Sequence, residues 1–259
     1  MREIPLHALL VTAHPGTRSV NTELRDVIRT ALRDTGYDVL ESDLYAMGWD
    51  PVVSLADFGA AADPSAPVGD QSGLAYSRGE LSPDITAEQD KIRAASLLVF
   101  QFPLWWYGMP AILKGWFDRV FVQGFAFGVK DEHGKTRKYG DGGLTGKRAL
   151  AVITAGDRQT AFHPRGLNGD AASLFFPFLH GIFWYTGLAP LHPHLIGGVD
   201  RPGWDDLDET TARLRKRILG LDAEDPIPYR RLADGDYDSD RVLLPHVRPG
   251  ETSLDIHVR

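Results

Sequence analysis

The chain has 259 residues, room for one large domain or two small ones, and its 43% hydrophobic and 24% charged residues are typical of a soluble globular protein. A formal net charge of −7 without a long basic run argues against a nucleic-acid partner. The absence of cysteine excludes disulfides, thiolate nucleophiles and cysteine-ligated metals, so any redox chemistry must come from a bound cofactor.

The first part of the chain predicts a strand, a helix and a second strand. A continuous apolar run over residues 6–12 predicts a buried strand, and apolar residues at helical spacing over 24–32 predict an amphipathic helix that ends at Gly36. Residues 37–42 predict a second strand, parallel to the first by the right-handed crossover rule. His-Pro-Gly at 14–16 replaces a small-residue cleavage site, so we expect no secretory signal and a cytoplasmic protein.

The middle of the chain begins with a segment that lacks periodicity. Residues 44–81 are rich in Ala, Asp, Pro, Gly and Ser, so we predict an irregular excursion from the domain. Ser-Pro at 82–83 predicts the start of a helix, and the apolar run 97–102 predicts a third strand. A helix follows from residue 110, and polar residues interrupt the apolar stretch 96–122, so we expect no membrane insertion.

The remaining elements continue the alternation of strands and helices. They are a Gly-rich loop at 129–146, a fourth strand at 148–154, mixed helical structure at 168–185, a fifth strand within 188–196 and a last helix at 204–219. This order predicts an α/β domain over residues 1–220, with a doubly wound, parallel, five-stranded sheet and helices on both faces. The charged, Pro-rich tail 221–259 predicts an irregular C-terminal extension that wraps the domain or a neighbouring subunit.

In doubly wound sheets, ligands bind beyond the carboxyl ends of the strands, so we expect a site at the loops after strands one, three and four. The first loop, residues 14–21, leads into a helix and places backbone N–H groups and the positive end of the helix dipole around a possible phosphate. It contains neither G-x-G-x-x-G nor a Walker sequence. The alternative is a helix start that is merely capped, by Ser19 or Asn21.

The other two loops are suited to a flat ring. Residues 103–110 place three adjacent aromatic side chains at the mouth of the sheet, where a planar ligand can stack on them, although packing in a core is the common alternative. Residues 154–158 bring small side chains and free amides to the same edge. One phosphate-binding loop beside two loops that suit a planar ring predicts a flavin nucleotide.

Several strings resemble the flavodoxin-like NAD(P)H:quinone oxidoreductases of the DT-diaphorase type. The strings, in chain order, are 14–21, 41–47 (E-S-D-L-Y-A-M), 81–85 (L-S-P-D-I), 100–121 (F-Q-F-P-L-W-W-Y-G-M-P-A-I-L-K-G-W-F-D-R-V-F) and 166–170 (G-L-N-G-D). The resemblance covers roughly residues 6 to 200. It implies a homodimer with one FAD per subunit, shared active sites, and two-electron reduction of quinones by ping-pong hydride transfer from NAD(P)H through flavin N5.

The resemblance also implies roles for individual residues. Those assigned to FAD are His14, Arg18, Ser19, Val20 and Asn21 at the diphosphate and ribose, Pro103, Leu104, Trp105, Trp106 and Tyr107 along the isoalloxazine ring, and Thr154, Ala155, Gly156, Asp157 and Phe162 around its polar edge. Those assigned to the substrate are Trp106, Tyr107, Phe127, Asn168 and Tyr185. The catalytic candidates are Gly156, Phe162 and Asn168.

Two of the catalytic candidates depart from the family pattern. The active-site Tyr and His of the family fall on Phe162 and Asn168, and only the Asn is similar to the dihydronicotinamide-riboside:quinone reductase branch. Phe162 cannot donate a hydrogen bond to the charge that develops on a reduced flavin, whereas the Asn168 amide can. We hypothesise that Arg158, His163 or Arg165 supplies positive charge in place of the missing phenol.

Some alternatives stay open at this level. The pair His192 and His194 has no third ligand at a diagnostic spacing, so we predict no metal. FMN is a less favoured flavin than FAD, and no residue distinguishes NADH from NADPH. An azo- or nitroaromatic reductase, a flavoprotein regulatory subunit of a membrane transporter and a flavin-free module are the rival functions.

Overall fold

The computed structural model describes residues 6–60 and 62–259, so residues 1–5 and 61 of the predicted domain lie outside the described part. The strands are β1 (His7–Thr12), β2 (Asp38–Asp43), β3 (Ala95–Pro103), β4 (Arg148–Ala155), β5 (Ala189–Pro190) and β6 (His194–Gly197). The helices are α1 (Val20–Asp34), α2 (Val68–Arg78), α3 (Pro83–Ala94), α4 (Ala111–Val120), α5 (Ala171–Phe178) and α6 (Leu207–Leu219). A π-helical segment, Leu179–Trp184, continues α5.

The strands form one parallel sheet in the order β2-β1-β3-β4-β5, with β6 also paired to β4. The predicted doubly wound parallel sheet is therefore confirmed. The fifth strand expected within 188–196 is present but divided into two short pieces, β5 and β6, that both pair with β4. Ala189 lies opposite Arg148 and His194 opposite Val152, while Pro193, which has no N–H to donate, falls in the gap between them.

Alternate residues of each central strand point to opposite faces and enter two separate cores. Leu9 of β1 and Phe100 of β3 belong to the core beneath α3, α4 and α5, whereas Leu10 and Val99 belong to the core beneath α1 and α6. Residues of a strand buried on both faces are mostly apolar at successive positions, which explains the long apolar runs in the sequence. The prediction of helices on both faces is confirmed.

The segment 44–81 is more regular than expected. It contains a short 3-10 turn and the helix α2, which the sequence analysis did not predict. Two glycines of α2 lower its intrinsic helix propensity, and one of them packs closely against Gln123. A Cβ on Gly73 would lie 3.1 Å from Cγ of Gln123, and the Gln123 N–H donates to Ser72 Oγ at 3.3 Å. Tertiary contact therefore stabilises this helix.

A buried arginine connects the same segment to α4. Arg119 donates to Asp57 through Nη2 (2.7 Å to Oδ1) and Nε (3.1 Å to Oδ2), and both side chains are at most 5% exposed. Its Nη1 lies 2.8 Å from Asp84 Oδ2 and donates to the Asp50 carbonyl at 3.0 Å. The guanidinium also lies 4.6 Å from the ring centroid of Trp49. One side chain thus satisfies polar groups from several separate parts of the chain.

The C-terminal extension is irregular and contacts the domain of its own chain. Ile227 and Tyr229 are buried in the core that contains α4 and α5. The Trp184 Nε1–H donates to the Arg230 carbonyl at 3.0 Å, and Tyr229 pairs with Val258 in an antiparallel bridge. Among the described residues, no helix is both long and apolar enough to cross a bilayer.

Two half-buried histidines make the stability depend on pH. Burial lowers the pKa of His180 and of His194 from 6.5 to about 4. The unfolded chain therefore binds protons below about pH 6.5 that the folded chain does not bind until about pH 4. We expect the free energy of unfolding to fall as the pH is lowered through this interval and to gain nothing from these groups above it.

Urea unfolding at a series of pH values measures this effect. His180→Gln should lose part of the pH dependence, because the substituted side chain does not titrate. His133→Gln is the matched control, since the His133 side chain is 81% exposed. Equal pH dependence in the His180→Gln variant and the unchanged protein would contradict the assignment.

Candidate functional site

The turns after β1, β3 and β4 open at the same edge of the sheet. The ends of the strands are in register, with Thr12 opposite Gln101 and Pro103 opposite Thr154. The Leu104 N–H donates to the Thr154 carbonyl at 2.7 Å, which extends the pairing of β3 and β4 into the turn. The structure therefore brings together the loops in which the sequence placed the site.

Asn21 connects these elements from inside the protein. It lies in the first turn of α1 and is 6% exposed. Its Oδ1 accepts from Gln101 Nε2 at 2.6 Å and from Thr154 Oγ1 at 3.0 Å. The resemblance implies that Asn21 and Thr154 contact the cofactor; in the structure their side chains bond to each other and hold α1, β3 and β4 together.

The first turn presents an array of hydrogen-bond donors. Ser19 is the N-cap of α1 and accepts from the Thr22 N–H at 3.3 Å, so it is the capping residue of the two that the sequence left open. The backbone N–H groups of residues 17–21 have no acceptor among the described residues. Donors at the positive end of a helix dipole are suited to an anion such as a phosphate. Val20 is half-buried here and Arg18 is exposed.

His14 adds a further donor to this array. Its Nδ1 accepts from the Gly16 N–H at 3.0 Å and lies 3.2 Å from Ser19 Oγ. In the neutral imidazole the proton therefore resides on Nε2, which can donate to an anion. A Cβ on Gly16 would lie 2.8 Å from His14 Cε1, so glycine is needed to keep the ring in place.

The second turn holds aromatic side chains in a strained backbone conformation. Trp105 and Gly108 exchange two backbone hydrogen bonds of 3.0 Å each, and between them Trp106 and Tyr107 have φ values of 50° and 58°. Positive φ costs of order 1–3 kcal/mol for a residue other than glycine and persists mainly at functional sites. Trp106 is 98% exposed and Tyr107 57%, so both rings are accessible to a flat ligand.

The third turn is joined to the second by a chain of side-chain hydrogen bonds. The Tyr107 hydroxyl donates to Asn168 Oδ1 at 2.9 Å, and Asn168 Nδ2 donates to Asp157 Oδ2 at 2.9 Å. The Arg158 N–H donates to Asp157 Oδ1 at 2.7 Å, and this bond, followed by that from Asn168, lowers the pKa of Asp157. An ionised carboxylate therefore fixes the orientation of the Asn168 amide and leaves it one free N–H.

Around this chain lie the other candidates from the third turn. The backbone N–H groups of Gly156 and Asp157 have no acceptor among the described residues. Phe162 is 6% exposed at the end of a 3-10 turn and contributes no polar group. Arg158, His163 and Arg165 are exposed, so the hypothesis that one of them supplies positive charge stays a prediction.

Phe127 and Tyr185 lie at the opposite edge of the sheet. The Tyr185 carbonyl accepts from the Tyr139 N–H at 3.1 Å, and Ala189, just after it, pairs with the first residue of β4. Phe127 follows the C-terminal end of α4. The carbonyl of its neighbour Ala126 accepts from the Gly143 N–H at 3.3 Å, and Gly143 lies shortly before the first residue of β4. A single chain does not bring these aromatic side chains to the three turns.

The chain is similar to proteins of one family along most of its length. A family model described as Flavodoxin-like fold matches residues 7–218. The ribosyldihydronicotinamide dehydrogenase-like protein traD of Penicillium crustosum is 37% identical over 260 residues, which cover 98% of this chain and 96% of that protein. NAD(P)H dehydrogenase (quinone) 1 of Cavia porcellus is 38% identical over 224 residues, covering 86% and 79%.

A solved structure shows the same similarity. A candidate quinone reductase from Klebsiella pneumoniae superimposes with a TM-score of 0.90 at 38% identity, and the match covers 98% of this chain and all of that one. The parallel sheet, the turns at its strand ends and the similarity to these relatives all indicate the same family. The chain belongs to the flavodoxin-like family of NAD(P)H:quinone oxidoreductases.

Proposed function

We propose that the protein is a flavin-dependent NAD(P)H:quinone oxidoreductase that binds FAD at the three turns. The observation that carries this proposal is the convergence of unbonded N–H groups and exposed aromatic rings at one edge of the sheet. The N–H groups of residues 17–21 suit phosphate oxygens, the rings of Trp106 and Tyr107 suit the face of an isoalloxazine, and the N–H groups at 156–157 suit its polar edge.

The number of donors in the first turn favours FAD over FMN. Besides the backbone N–H groups of residues 17–21, the Nε2–H of His14 can donate to the same ligand. A diphosphate offers more acceptor oxygens along the chain than a single terminal phosphate does, so it can engage more of these donors. Arg18 is exposed beside them and adds positive charge.

A bound flavin would supply two-electron chemistry, accepting hydride from NAD(P)H and passing it to a quinone. Trp106 and Tyr107 would form a flat apolar wall that excludes water and orients planar reactants. Asn168, oriented by Asp157 and Tyr107, would direct its free N–H at negative charge that develops in the site. Since donor and acceptor would occupy one pocket in turn, we expect ping-pong kinetics.

The position of Phe127 and Tyr185 supports a homodimer with shared active sites. Both side chains lie at the edge of the sheet opposite to the three turns, so they can line the acceptor pocket only if a second copy of the chain presents them there. Sedimentation of the purified protein tests the dimer, and Tyr185→Leu should raise the KM for a quinone without releasing the flavin.

The cofactor itself is the decisive test of the function. The absorption spectrum of the purified protein and the mass of the released group identify the flavin. Anaerobic titration with NADH and NADPH then identifies the donor, and parallel initial-rate lines support the ping-pong order. A colourless protein that stays colourless after addition of FAD would refute the proposal.

Asn168→Leu is expected to slow reduction of the bound flavin by about tenfold, because one neutral hydrogen bond to developing charge is worth roughly 1–1.5 kcal/mol. Stopped-flow absorbance with NAD(P)H measures the rate. Leu167→Ala is a control in the neighbouring position, since Leu167 is 94% exposed. Unchanged rates in the Asn168→Leu variant would remove Asn168 from the mechanism.

A further inference from the structure

An exposed carboxylate lies directly beside the third turn. The Gly198 N–H donates to the Asp157 carbonyl at 2.6 Å, which holds the residues after β6 along this turn. Asp200 follows there, and a Cβ on Gly156 would lie 2.6 Å from its Oδ2 and 3.3 Å from its Cγ. Because a larger residue at position 156 would displace the carboxylate, the glycine admits Asp200 to the turn.

The Asp200 carboxylate has no partner in the described part of the chain. No described residue donates a hydrogen bond to it, and no described cation forms an ion pair with it. The side chain is exposed, so a ligand at this edge of the sheet can reach it. Together with the unbonded N–H groups at 156 and 157, it gives the third turn two donors and one acceptor.

This set of groups suits the ring of a flavin and not its phosphates. A carboxylate repels a phosphate, so the anionic end of the ligand belongs at the first turn, where the helix dipole is positive. One edge of the isoalloxazine carries its N3–H between two carbonyl oxygens, O2 and O4. Two backbone donors for these oxygens and one carboxylate for N3–H complement that edge, and a hydrogen bond to a carboxylate is charge-assisted.

We propose that Asp200 is a flavin-binding residue whose carboxylate accepts a hydrogen bond from N3–H of the isoalloxazine. The proposal rests on the proposed function, since it requires a flavin at the three turns, and it names one further residue that recognises the ring. Two consequences can be measured. The site rejects a flavin that is alkylated at N3, and the negative charge of Asp200 makes the bound flavin harder to reduce.

Fluorescence titration of the apoprotein with FAD and with N3-methyl-FAD tests the first consequence. The unchanged protein should bind FAD at least about tenfold more tightly, because methylation removes the charge-assisted hydrogen bond. Asp200→Ala should weaken FAD binding by a similar factor and bind the two flavins about equally. Asp205→Ala, at an exposed acid of the loop that follows β6, is the matched control and should keep the full preference for FAD.

Redox titration of the flavin-loaded protein tests the second consequence. Asp200→Asn keeps an acceptor oxygen without the charge, so it should retain FAD and raise the midpoint potential by about 30 mV, which corresponds to about a tenfold change in the equilibrium of a two-electron couple. The proposal is overturned if Asp200→Ala weakens the binding of both flavins by the same factor, or if the potential does not rise. A protein that binds FAD without preference over N3-methyl-FAD would refute this proposal alone, whereas one that binds no flavin would refute the proposed function as well.

Discussion

Arg119→Met is expected to lower the free energy of unfolding by about 3–5 kcal/mol, the usual loss when one partner of a buried ion pair is removed. Asp57 would remain 3% exposed without its cation, and Asp84 and the Asp50 carbonyl would lose their donors. The segment 44–81 would lose its main polar attachment to α4. Urea unfolding of the two proteins at the same pH measures the difference.

Lys114→Met on the same helix is the matched control. Lys114 forms an exposed i,i+4 pair with Asp118, and pairs of this kind contribute only about 0.3–0.5 kcal/mol. Adding Asp57→Leu to Arg119→Met should restore part of the lost stability, because the buried charge is then replaced by an apolar side chain. A loss in Arg119→Met no larger than that in Lys114→Met would show that the buried pair is not an anchor.

Asn21→Leu is expected both to destabilise the fold and to weaken flavin binding. Gln101 and Thr154, each 1% exposed, would lose their common acceptor, and a buried donor without a partner costs about 1–3 kcal/mol. Because Asn21 holds α1 against β3 and β4, its loss should also displace the N–H groups of the first turn. We therefore expect the Kd for FAD to rise at least about tenfold.

Fluorescence titration of the apoprotein with FAD measures this Kd, and urea unfolding measures the stability. Asn21→Asp keeps an acceptor oxygen at the same position and should retain most of both properties. Ser19→Ala removes the helix cap together with the contact to His14 Nδ1, and should cost about 1 kcal/mol of stability. If Asn21→Leu bound FAD as tightly as the unchanged protein, the connection among the three turns would not control the site.

The sheet is predictable from sequence because its central strands are buried on both faces. Apolar runs such as 97–100 predict buried strands with few alternatives, and the loops after the strands then define the edge where a ligand binds. The helix α2 is not predictable in this way, since Gly73 lowers its propensity and the contact with Gln123 that stabilises it is distant in sequence. The division of the fifth strand into β5 and β6 depends on how each piece pairs with β4, which the sequence does not show. Pro193, which cannot donate to a strand pair, is the one local signal of the break.

The roles of the site residues likewise depend on contacts between residues that are distant in sequence. The sequence predicts Asn21 and Asp157 in loops at the carboxyl ends of the strands, but hydrogen bonds between distant residues determine what their side chains and that of Asn168 do. The polar chain from Tyr107 to Asp157 joins positions far apart in sequence, so no local pattern reports it. The position of Tyr185 at the opposite edge is likewise a property of the topology, not of the residues around it.

The turn at Trp106 and Tyr107 has a consequence for engineering. Asn-Gly is the pair that suits two successive residues of positive φ, and a chain optimised only to resist heat would carry it there. That exchange would raise the melting temperature and remove the bulky rings from the edge of the sheet. Trp106 and Tyr107 therefore lower the melting temperature at the two positions where the protein would contact its ligand.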